Sequence, residues 1–449
     1  GTVVRVDVES GAVLGEYATA PEGMARNPSR TTVDRLGNVW VCNRDENGRL
    51  DGEQRGSVAR IGLVIGGTRG TKDPRSGAFR PDVRGEYLKG PFRYSTCVDR
   101  DGDGLIRTSF GLGCVLAWSN ADGVDSAGGV ASADDECIVD YTRVAGANAR
   151  TLAIDANNDV WVGGWSDQDH EKLDGVSGRP IAGTLFNFGC GGYGGFVDGN
   201  GVLWSARGGT GLLRYDTRSG TGVSLGNECG DYGLALDPVT GNVWHTSLYG
   251  GTVGVLSPAG ECTARYGYGS VNAQGLAVDA RGNVWIAHSL WGATTIGHLR
   301  ADGSFVGNVA LTHATGNGNG PTGVSIDTHG KVWVACVNSN NALRIDPNAG
   351  ALGPGGVPLG AVDLVVELGE SAGPYNYSDM TGWVVLAATQ PGGAWTLVED
   401  SGRSNQRWAM FAWHSDEPEG TRVTIEVRAD DDPTRLAAHA FSAVRNGAE

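Results

Sequence analysis

The sequence predicts an all-β chain that folds as a seven-bladed β-propeller closed by both termini, and three observations support this prediction. A phrase of the form Asp-x-x-Gly-Asn-Val-Trp recurs six times. The tryptophans of the last five copies follow one another after 43, 40, 41 and 48 residues, and a period near 40 is typical of propeller blades. Glycine is abundant, with 74 in 449 residues, which suits short strands joined by tight turns because glycine adopts positive φ without strain.

Each copy of the phrase predicts an inner hairpin, in which two short apolar strands flank a turn with an aspartate and usually a glycine. An outer strand follows, such as LLRYD (212–216) or ALRID (342–346). The six copies are TTVDRLGNVWV (31–41), LAIDANNDVWV (152–162), GFVDGNGVLWS (195–205), LALDPVTGNVWH (234–245), LAVDARGNVWI (276–286) and VSIDTHGKVWV (324–334).

The seventh blade is predicted to be divided between the two ends of the chain. Residues 377–387 have the pattern of a degenerate inner hairpin, and residues 2–17 have that of two outer strands. Joining them would close the ring and hide the edges of an open sheet. We therefore expect a propeller over residues 1–387, with an insertion at about 67–140, and a small β-sandwich-like tail over residues 388–449.

Charge and cysteine content limit the class of protein. The net charge of −16 argues against a nucleic-acid partner, because phosphate binding needs a basic face. No apolar run reaches the roughly 20 residues of a transmembrane helix. Eight cysteines without zinc spacing favour disulfides, and hence an extracellular or periplasmic protein whose targeting segment has been removed.

Two disulfides are expected from the positions of the cysteines. Cys97 and Cys114 bracket an acidic loop that a bridge would brace. Cys190 and Cys229 hold equivalent positions in neighbouring blades, and we favour a bridge there over a thiol nucleophile.

The acidic loop, Asp99-Arg-Asp101-Gly-Asp103-Gly-Leu105, predicts a calcium site. Carboxylates at positions 1, 3 and 5 and a backbone carbonyl at position 7 match an EF-hand-type loop, so the expected ligands are Asp99, Asp101, Asp103 and Leu105. Position 12 is Phe110 where glutamate is usual, and the missing carboxylate can come from Asp122, Asp134, Asp135 or Glu136. The alternative interpretation is an acidic surface turn.

A second candidate site lies at one mouth of the propeller channel. The inner strand of each blade starts, and the second strand ends, on the same face, so side chains at these positions surround one opening. Such a ring can bind a carboxylate, a phosphate or a glycan, or it can simply line a water-filled channel. The candidate ligand-binding residues are Arg30, Arg150, Tyr193, Arg207, Tyr232, Gln274 and His288.

The segment VWIAHSLWGATTIGHLRADG (284–303) is similar to the repeat of NHL and streptogramin-lyase-like (virginiamycin B lyase-like) propellers. That resemblance implies the propeller fold and, as an activity, a lyase that uses magnesium with a glutamate and a histidine on the mouth face. His288 is then the candidate catalytic residue, although Ile286 and His288 do not form the family's Glu-x-His pair. The tail resembles small β-sandwich modules that are appended to secreted bacterial propellers.

The sequence leaves three functions open. The first is a secreted, calcium-stabilised propeller that binds a peptide, a glycan or a small anion at the channel mouth. The second is a metal-dependent lyase or hydrolase of the streptogramin-lyase-like type. The third is a surface-interaction module. No local motif names a catalytic triad, which favours binding.

Overall fold

A computed structural model describes residues 1–44, 55–206, 208, 211–289, 292–376, 395–408, 410–415, 417, 422–432, 435–436 and 439–447. The chain divides into two compact units, residues 1–394 and residues 395–449. The domain boundary predicted after residue 387 lies outside the described residues.

The described part of the chain is built from short antiparallel strands. Up to residue 143 they are β1 (Thr2–Val6), β2 (Val13–Ala18), β3 (Pro28–Val33), β4 (Val39–Asn43), β5 (Ser57–Ile61), β6 (Val64–Lys72), β7 (Phe79–Pro81), β8 (Tyr87–Ser95), β9 (Leu105–Arg107) and β10 (Ile138–Arg143). Up to residue 267 they are β11 (Ala149–Ile154), β12 (Val160–Gly164), β13 (Asp169–Leu173), β14 (Phe186–Asn187), β15 (Gly194–Val197), β16 (Val202–Ala206), β17 (Leu212–Asp216), β18 (Thr221–Leu225), β19 (Leu234–Leu236), β20 (Val243–Thr246), β21 (Thr252–Leu256) and β22 (Cys262–Gly267).

The remaining described strands belong to the propeller and the tail. They are β23 (Ala273–Val278), β24 (Val284–His288), β25 (Thr295–Leu299), β26 (Phe305–Ala310), β27 (Thr312–His313), β28 (Gly316–Asn317), β29 (Pro321–Ile326), β30 (Val332–Cys336), β31 (Asn341–Asp346), β32 (Ala361–Glu367), β33 (Ile425–Val427) and β34 (Ser442–Val444). Two 3-10 turns, Ala121–Gly123 and Pro354–Gly356, also occur in the described residues. No described helix has the length and apolar character to cross a bilayer.

Six four-stranded antiparallel sheets form the blades in the described part of the chain. Their strand orders are β3-β4-β5-β10, β11-β12-β13-β14, β15-β16-β17-β18, β19-β20-β21-β22, β23-β24-β25-β26 and β29-β30-β31-β32, here blades 1 to 6. Each copy of the repeated phrase forms the two inner strands of one blade. The predicted β-propeller is thereby confirmed.

The two-stranded sheet β1-β2 lies between blade 6 and blade 1. The turn at Gly11 approaches Leu364 of β32, while Tyr17 packs in a buried cluster with Val41 and Ile61 of blade 1. This is the position expected for the outer strands of a seventh blade. The predicted inner strands, residues 377–387, lie outside the described residues, so the count of seven stays a prediction.

The core is divided among the spaces between adjacent blades. One buried cluster, for example, combines Trp40 of blade 1 with Leu152 of blade 2 and Leu203 of blade 3. Burial of one sheet against the next is the main stabilisation of such a fold. Each inner strand is thereby fixed relative to its neighbours, and so are the residues at its ends.

The repeated aspartate closes the inner hairpin with its own carboxylate. In blade 1, Asp34 Oδ1 accepts hydrogen bonds from the backbone N–H groups of Leu36 and Asn38, each at 2.9 Å. Asp34 Oδ2 accepts from the indole N–H of Trp40 at 3.0 Å. The same indole–carboxylate bond joins Asp198 to Trp204 (3.0 Å), Asp279 to Trp285 (3.4 Å) and Asp327 to Trp333 (2.9 Å).

Blades 2 and 4 depart from this arrangement. Asp155 Oδ2 instead lies 3.5 Å from the ammonium group of Lys172, and Asp237 Oδ2 accepts a hydrogen bond from the Thr240 hydroxyl at 2.6 Å. The buried indole N–H groups of Trp161 and Trp244 have no hydrogen-bond partner in the described residues. The tryptophan therefore packs in every repeat but is hydrogen-bonded in four of the six.

The insertion and the C-terminal tail do not follow the four-stranded repeat of the blades. The insertion joins the third and fourth strands of blade 1 and spans residues 62–137, where 67–140 was predicted. It contains the sheet β7-β6-β8-β9. In the tail, the described residues form one two-stranded sheet, β33-β34, and the β-sandwich stays a prediction.

Trp204→Phe is expected to destabilise the protein by roughly 1–3 kcal/mol more than Trp244→Phe, because only the first change leaves a buried carboxylate oxygen without its donor. Both rings are almost completely buried, so the loss of ring volume is matched. Urea unfolding followed by circular dichroism measures the difference. Equal losses of stability would contradict this role of the indole–carboxylate bond.

Candidate functional site

Five of the predicted mouth residues come from five successive blades. Arg30 lies in β3, Arg150 in β11 and Gln274 in β23, whereas Tyr193 directly precedes β15 and Tyr232 lies two residues before β19. All five are buried, with exposures from 1% for Arg30 to 8% for Gln274. They reach one end of the channel because each blade presents the same position of its inner strand there. Arg207 lies outside the described residues.

The ring of Tyr193 is at the centre of this group. The guanidinium carbons of Arg150 and Arg30 lie 4.5 Å and 5.4 Å from its centroid. Arg150 also lies 4.8 Å from the centroid of Trp165, and the Trp165 and Tyr193 rings meet edge to face at 5.2 Å. Cations at these distances are attracted to the ring faces. The aromatic rings therefore hold two permanently charged groups close together.

Polar groups extend the cluster toward blade 5. The hydroxyl oxygens of Tyr193 and Tyr232 are 2.7 Å apart, and Gln274 Nε2 donates to the Tyr232 hydroxyl at 3.5 Å. Gln274 Oε1 is buried and has no hydrogen-bond partner in the described part of the chain. An unpaired buried acceptor is costly, so this oxygen is a candidate contact for a ligand donor.

Sequence reasoning missed Trp165 and Tyr375, two aromatic residues of the cluster. Both pack against the buried Tyr193–Tyr232 pair. Trp165 directly follows β12 at the same face. Its position in the repeat could therefore have identified it as a residue of the channel mouth. Tyr375 follows blade 6 at no repeat position, and only the three-dimensional structure brings it to the mouth.

His288 is separate from this cluster and joins blades 4 and 5. Its Nε2 donates to the Tyr268 carbonyl at 3.1 Å, and its Nδ1 accepts from the Thr295 hydroxyl at 2.8 Å. A carbonyl can only accept, which fixes the proton on Nε2. Burial lowers the pKa of His288 to about 4. Both nitrogens are thus used within the fold, and we do not include His288 in the proposed site.

The acidic loop brings together a different set of carboxylates from the predicted one. Oxygens of Asp99, Asp101 and Glu136 lie within 4.8 Å of one another. Asp103 lies outside this group, and its carboxylate pairs with the Lys72 ammonium. Leu105 begins β9. Among the described residues, this is the one group of three or more potential metal-ligating side chains.

Glu136 is one of the four carboxylates that the sequence offered in place of position 12. Its two oxygens accept from the backbone N–H groups of Arg100 at 2.6 Å and Arg107 at 2.8 Å. It is 6% exposed, and burial raises its pKa. Asp134 instead pairs with Arg107 at 3.2 Å, and Asp135 accepts from the Ser109 N–H at 2.8 Å.

Both predicted disulfides are wrong. Cys97 is bonded to Cys137, because the N–H of Val98 bonds to the carbonyl of Glu136 and places the two segments side by side. Cys229 is bonded to Cys262, the first residue of the outermost strand of blade 4. Cys190 packs in the core cluster of blades 1 to 3. Cys114 is a thiol.

Comparisons with known proteins give distant likenesses. No family model matches the chain. Regucalcin of Danio rerio is 60% identical over 30 residues, which are 7% of this chain and 10% of regucalcin. The match to this curated relative therefore spans a tenth of its length.

Similar solved structures include virginiamycin B lyase of Staphylococcus aureus, in a catalytically inactive form with quinupristin (12% identity, 80% of this chain and 90% of the lyase, TM-score 0.46). A periplasmic gluconolactonase of Pseudomonas aeruginosa is 15% identical, over 83% of this chain and 93% of its own, with a TM-score of 0.45. A protein of unknown function from Desulfotomaculum acetoxidans is 9% identical over 80% and 95%, with a TM-score of 0.47. The lyase belongs to the family that the blade motif resembles, and none of these likenesses bears on activity.

Acidification from pH 6.5 toward pH 4 is expected to destabilise the protein, in part through His288. Its folded-state pKa of about 4 lies below the ordinary value of 6.5, so the unfolded chain takes up a proton that the folded chain does not. Its contribution is complete above pH 6.5 and is lost as the pH falls. The unfolding free energy of His288→Gln should therefore depend less steeply on pH between pH 4 and 6.5, by up to about 1.4 kcal/mol per pH unit.

The control for this measurement is His329→Gln, since that side chain is 57% exposed. Urea unfolding at several pH values gives both slopes. A slope for His288→Gln equal to that of the unchanged protein would show that this histidine is protonated as readily when folded as when unfolded.

Proposed function

We propose that the propeller binds a small polar or anionic ligand at its channel mouth through Arg30, Arg150, Tyr193, Tyr232 and Gln274. The observation that carries the proposal is the placement of two buried guanidinium groups on the ring of Tyr193. Two phenol hydroxyls and an amide oxygen lie beside them.

The chemistry of these groups selects the ligand class. Arginine stays protonated at any physiological pH, so two such groups near one ring create a positive potential that favours an anion. Charge-assisted hydrogen bonds to a carboxylate or phosphate contribute about 1.5–3 kcal/mol each. Because the donors come from separate rigid blades, little ordering is needed on binding.

A metal-dependent lyase or hydrolase, which the family resemblance implies, is the second candidate. Such an enzyme needs metal ligands or an acid–base pair at the reacting centre. In the described part of the chain, the group of three carboxylates lies in the insertion, and the mouth cluster contributes guanidinium, phenol and amide groups. We therefore place ligand binding first.

We further propose that the insertion binds calcium through Asp99, Asp101 and Glu136, with the carbonyl of Leu105. Calcium takes six to eight oxygen ligands, and carboxylates from a tight loop and a distant residue are a common set. Gathering three like charges is unfavourable, and a divalent cation offsets it. The role of Asp103 is then to bind Lys72. With two disulfides in the propeller, we assign the protein to the extracellular space or periplasm.

Arg150→Ala is expected to weaken anion binding by about 1.5–3 kcal/mol without unfolding the protein, because one charge-assisted hydrogen bond is lost. Calorimetric titration with galacturonate, citrate and inorganic phosphate measures the affinity, and assays for consumption of the bound compound test the enzyme alternative. Arg281→Ala, an exposed arginine in the turn after β23, is the control. Equal affinities of the two variants, or no binding of any of the three anions, would contradict the proposal.

Chelation is expected to lower the melting temperature, because an ion that binds only the folded state stabilises it by mass action. Glu136→Gln should weaken calcium binding at least tenfold and abolish the effect of EDTA. Asp134→Asn removes a neighbouring carboxylate outside the cluster. This variant should keep both the calcium affinity and the effect of EDTA on the melting temperature. If EDTA at matched ionic strength leaves the melting temperature of the unchanged protein unaltered, the calcium site is wrong.

A further inference from the structure

One segment of the insertion in blade 1 carries the opposite charge to the rest of the protein. Residues 64–95, which form β6, β7 and β8 and are called the basic hairpin below, contain seven basic and three acidic residues, a net charge of +4. The whole chain carries −16, so the other residues sum to −20. A local excess of positive charge on an acidic protein is the electrostatic signature of a surface for an anionic partner.

Three of the seven basic residues are used within the insertion. Arg80 pairs with Asp73 at 3.1 Å, Lys72 pairs with Asp103, and Arg69 lies over the ring of Phe110 at 5.4 Å. The four others are exposed and make no ion pair within the described part of the chain; they are Arg75, Arg84, Lys89 and Arg93. Their charge is therefore available to a partner.

The base of the basic hairpin is anchored to the propeller. Leu88 and Ile106 are buried with Tyr17 in one apolar cluster. The Cys97–Cys137 disulfide joins the segment directly after the basic hairpin to the last residue of the insertion. The far end is exposed, with Val83 at 86%. Because its base is held in place, the basic hairpin presents its charged end in a fixed position. Less conformational entropy is then lost when a partner binds.

Aromatic rings accompany the cations on the insertion sheet. The Lys89 ammonium lies 5.7 Å from the centroid of Phe79, and that of Lys72 lies 5.8 Å from the centroid of Tyr87. An apolar ring beside a cation suits a sugar ring that bears an acidic group, because the ring packs on the aromatic surface while the anion pairs with the ammonium or guanidinium group.

We propose that the basic hairpin binds an acidic polysaccharide. Charge density separates this partner from a nucleic acid: the basic hairpin offers four available cations over 32 residues, whereas duplex DNA carries a charge about every 1.7 Å of its axis. The −20 of the remaining protein repels any polyanion, and it repels one of that charge density more strongly than a chain with fewer charges per length. A uronate chain, in contrast, carries at most one negative charge per sugar, and it is a narrow, extended polymer.

The test compares two variants with the same change of charge. The hairpin variant, R75Q/R84Q/K89Q/R93Q, removes the available charges of the basic hairpin. The blade variant, R35Q/R218Q/R265Q/R281Q, removes four exposed arginines of the blades and their turns. Binding to soluble polygalacturonate is measured at 50 and 200 mM NaCl, with dextran as the neutral polymer and poly(U) as the nucleic acid. Unchanged melting temperatures show that both variants fold.

The unchanged protein and the blade variant are expected to bind polygalacturonate, with affinity that falls as salt rises, and to bind dextran not at all. The hairpin variant should bind at least tenfold more weakly at 50 mM NaCl and show a smaller salt dependence, because fewer counterions are released. An equal loss of affinity for polygalacturonate in both variants would mean that net charge alone explains the binding, and it would overturn the proposal. Poly(U) binding as tight as that of polygalacturonate would assign the surface to nucleic acid, and salt-sensitive self-association lost only in the hairpin variant would assign it to a second copy of this chain.

Discussion

The hydrogen bonds that the repeated aspartate accepts are the local interaction on which the propeller depends. Asp34 binds two backbone N–H groups of its own turn with one oxygen and the Trp40 indole with the other. One carboxylate thus sets the turn geometry and fixes the orientation of the largest side chain in the space between blades. The next sheet packs on that side chain, so the turn and the core are determined together.

Fixed blades make the channel mouth a place where distant residues meet. Arg30, Arg150 and Tyr193 belong to three blades, yet two guanidinium groups share one ring at 4.5 and 5.4 Å. Burial of like charges opposes folding, and cation–π attraction offsets part of that cost. The same electrostatics gives the mouth its affinity for anions, so the structural and the functional explanations of the cluster are compatible.

The insertion follows different physical rules from the blades. Its sheet β7-β6-β8-β9 has one buried side against blade 1 and β2, and its acidic loop and basic hairpin face solvent. Segregated charges of opposite sign meet there in the Lys72–Asp103 pair. A disulfide between Cys97 and Cys137 holds the segment where the repeat provides no packing partner.

The sequence by itself determined the propeller, because the hairpin signal depends on residues within about six positions of each other. Asp34 and Trp40 interact across one turn, and a period near 40 repeats that turn along the chain. The same repeat position predicted the mouth residues Arg30 to Gln274. Only the tertiary structure decided the contacts between separate segments: Glu136 beside Asp99, Cys137 in place of Cys114, Tyr375 on the tyrosine pair, and His288 bonded between blades. Those contacts depend on register and packing across many residues, which no local pattern records.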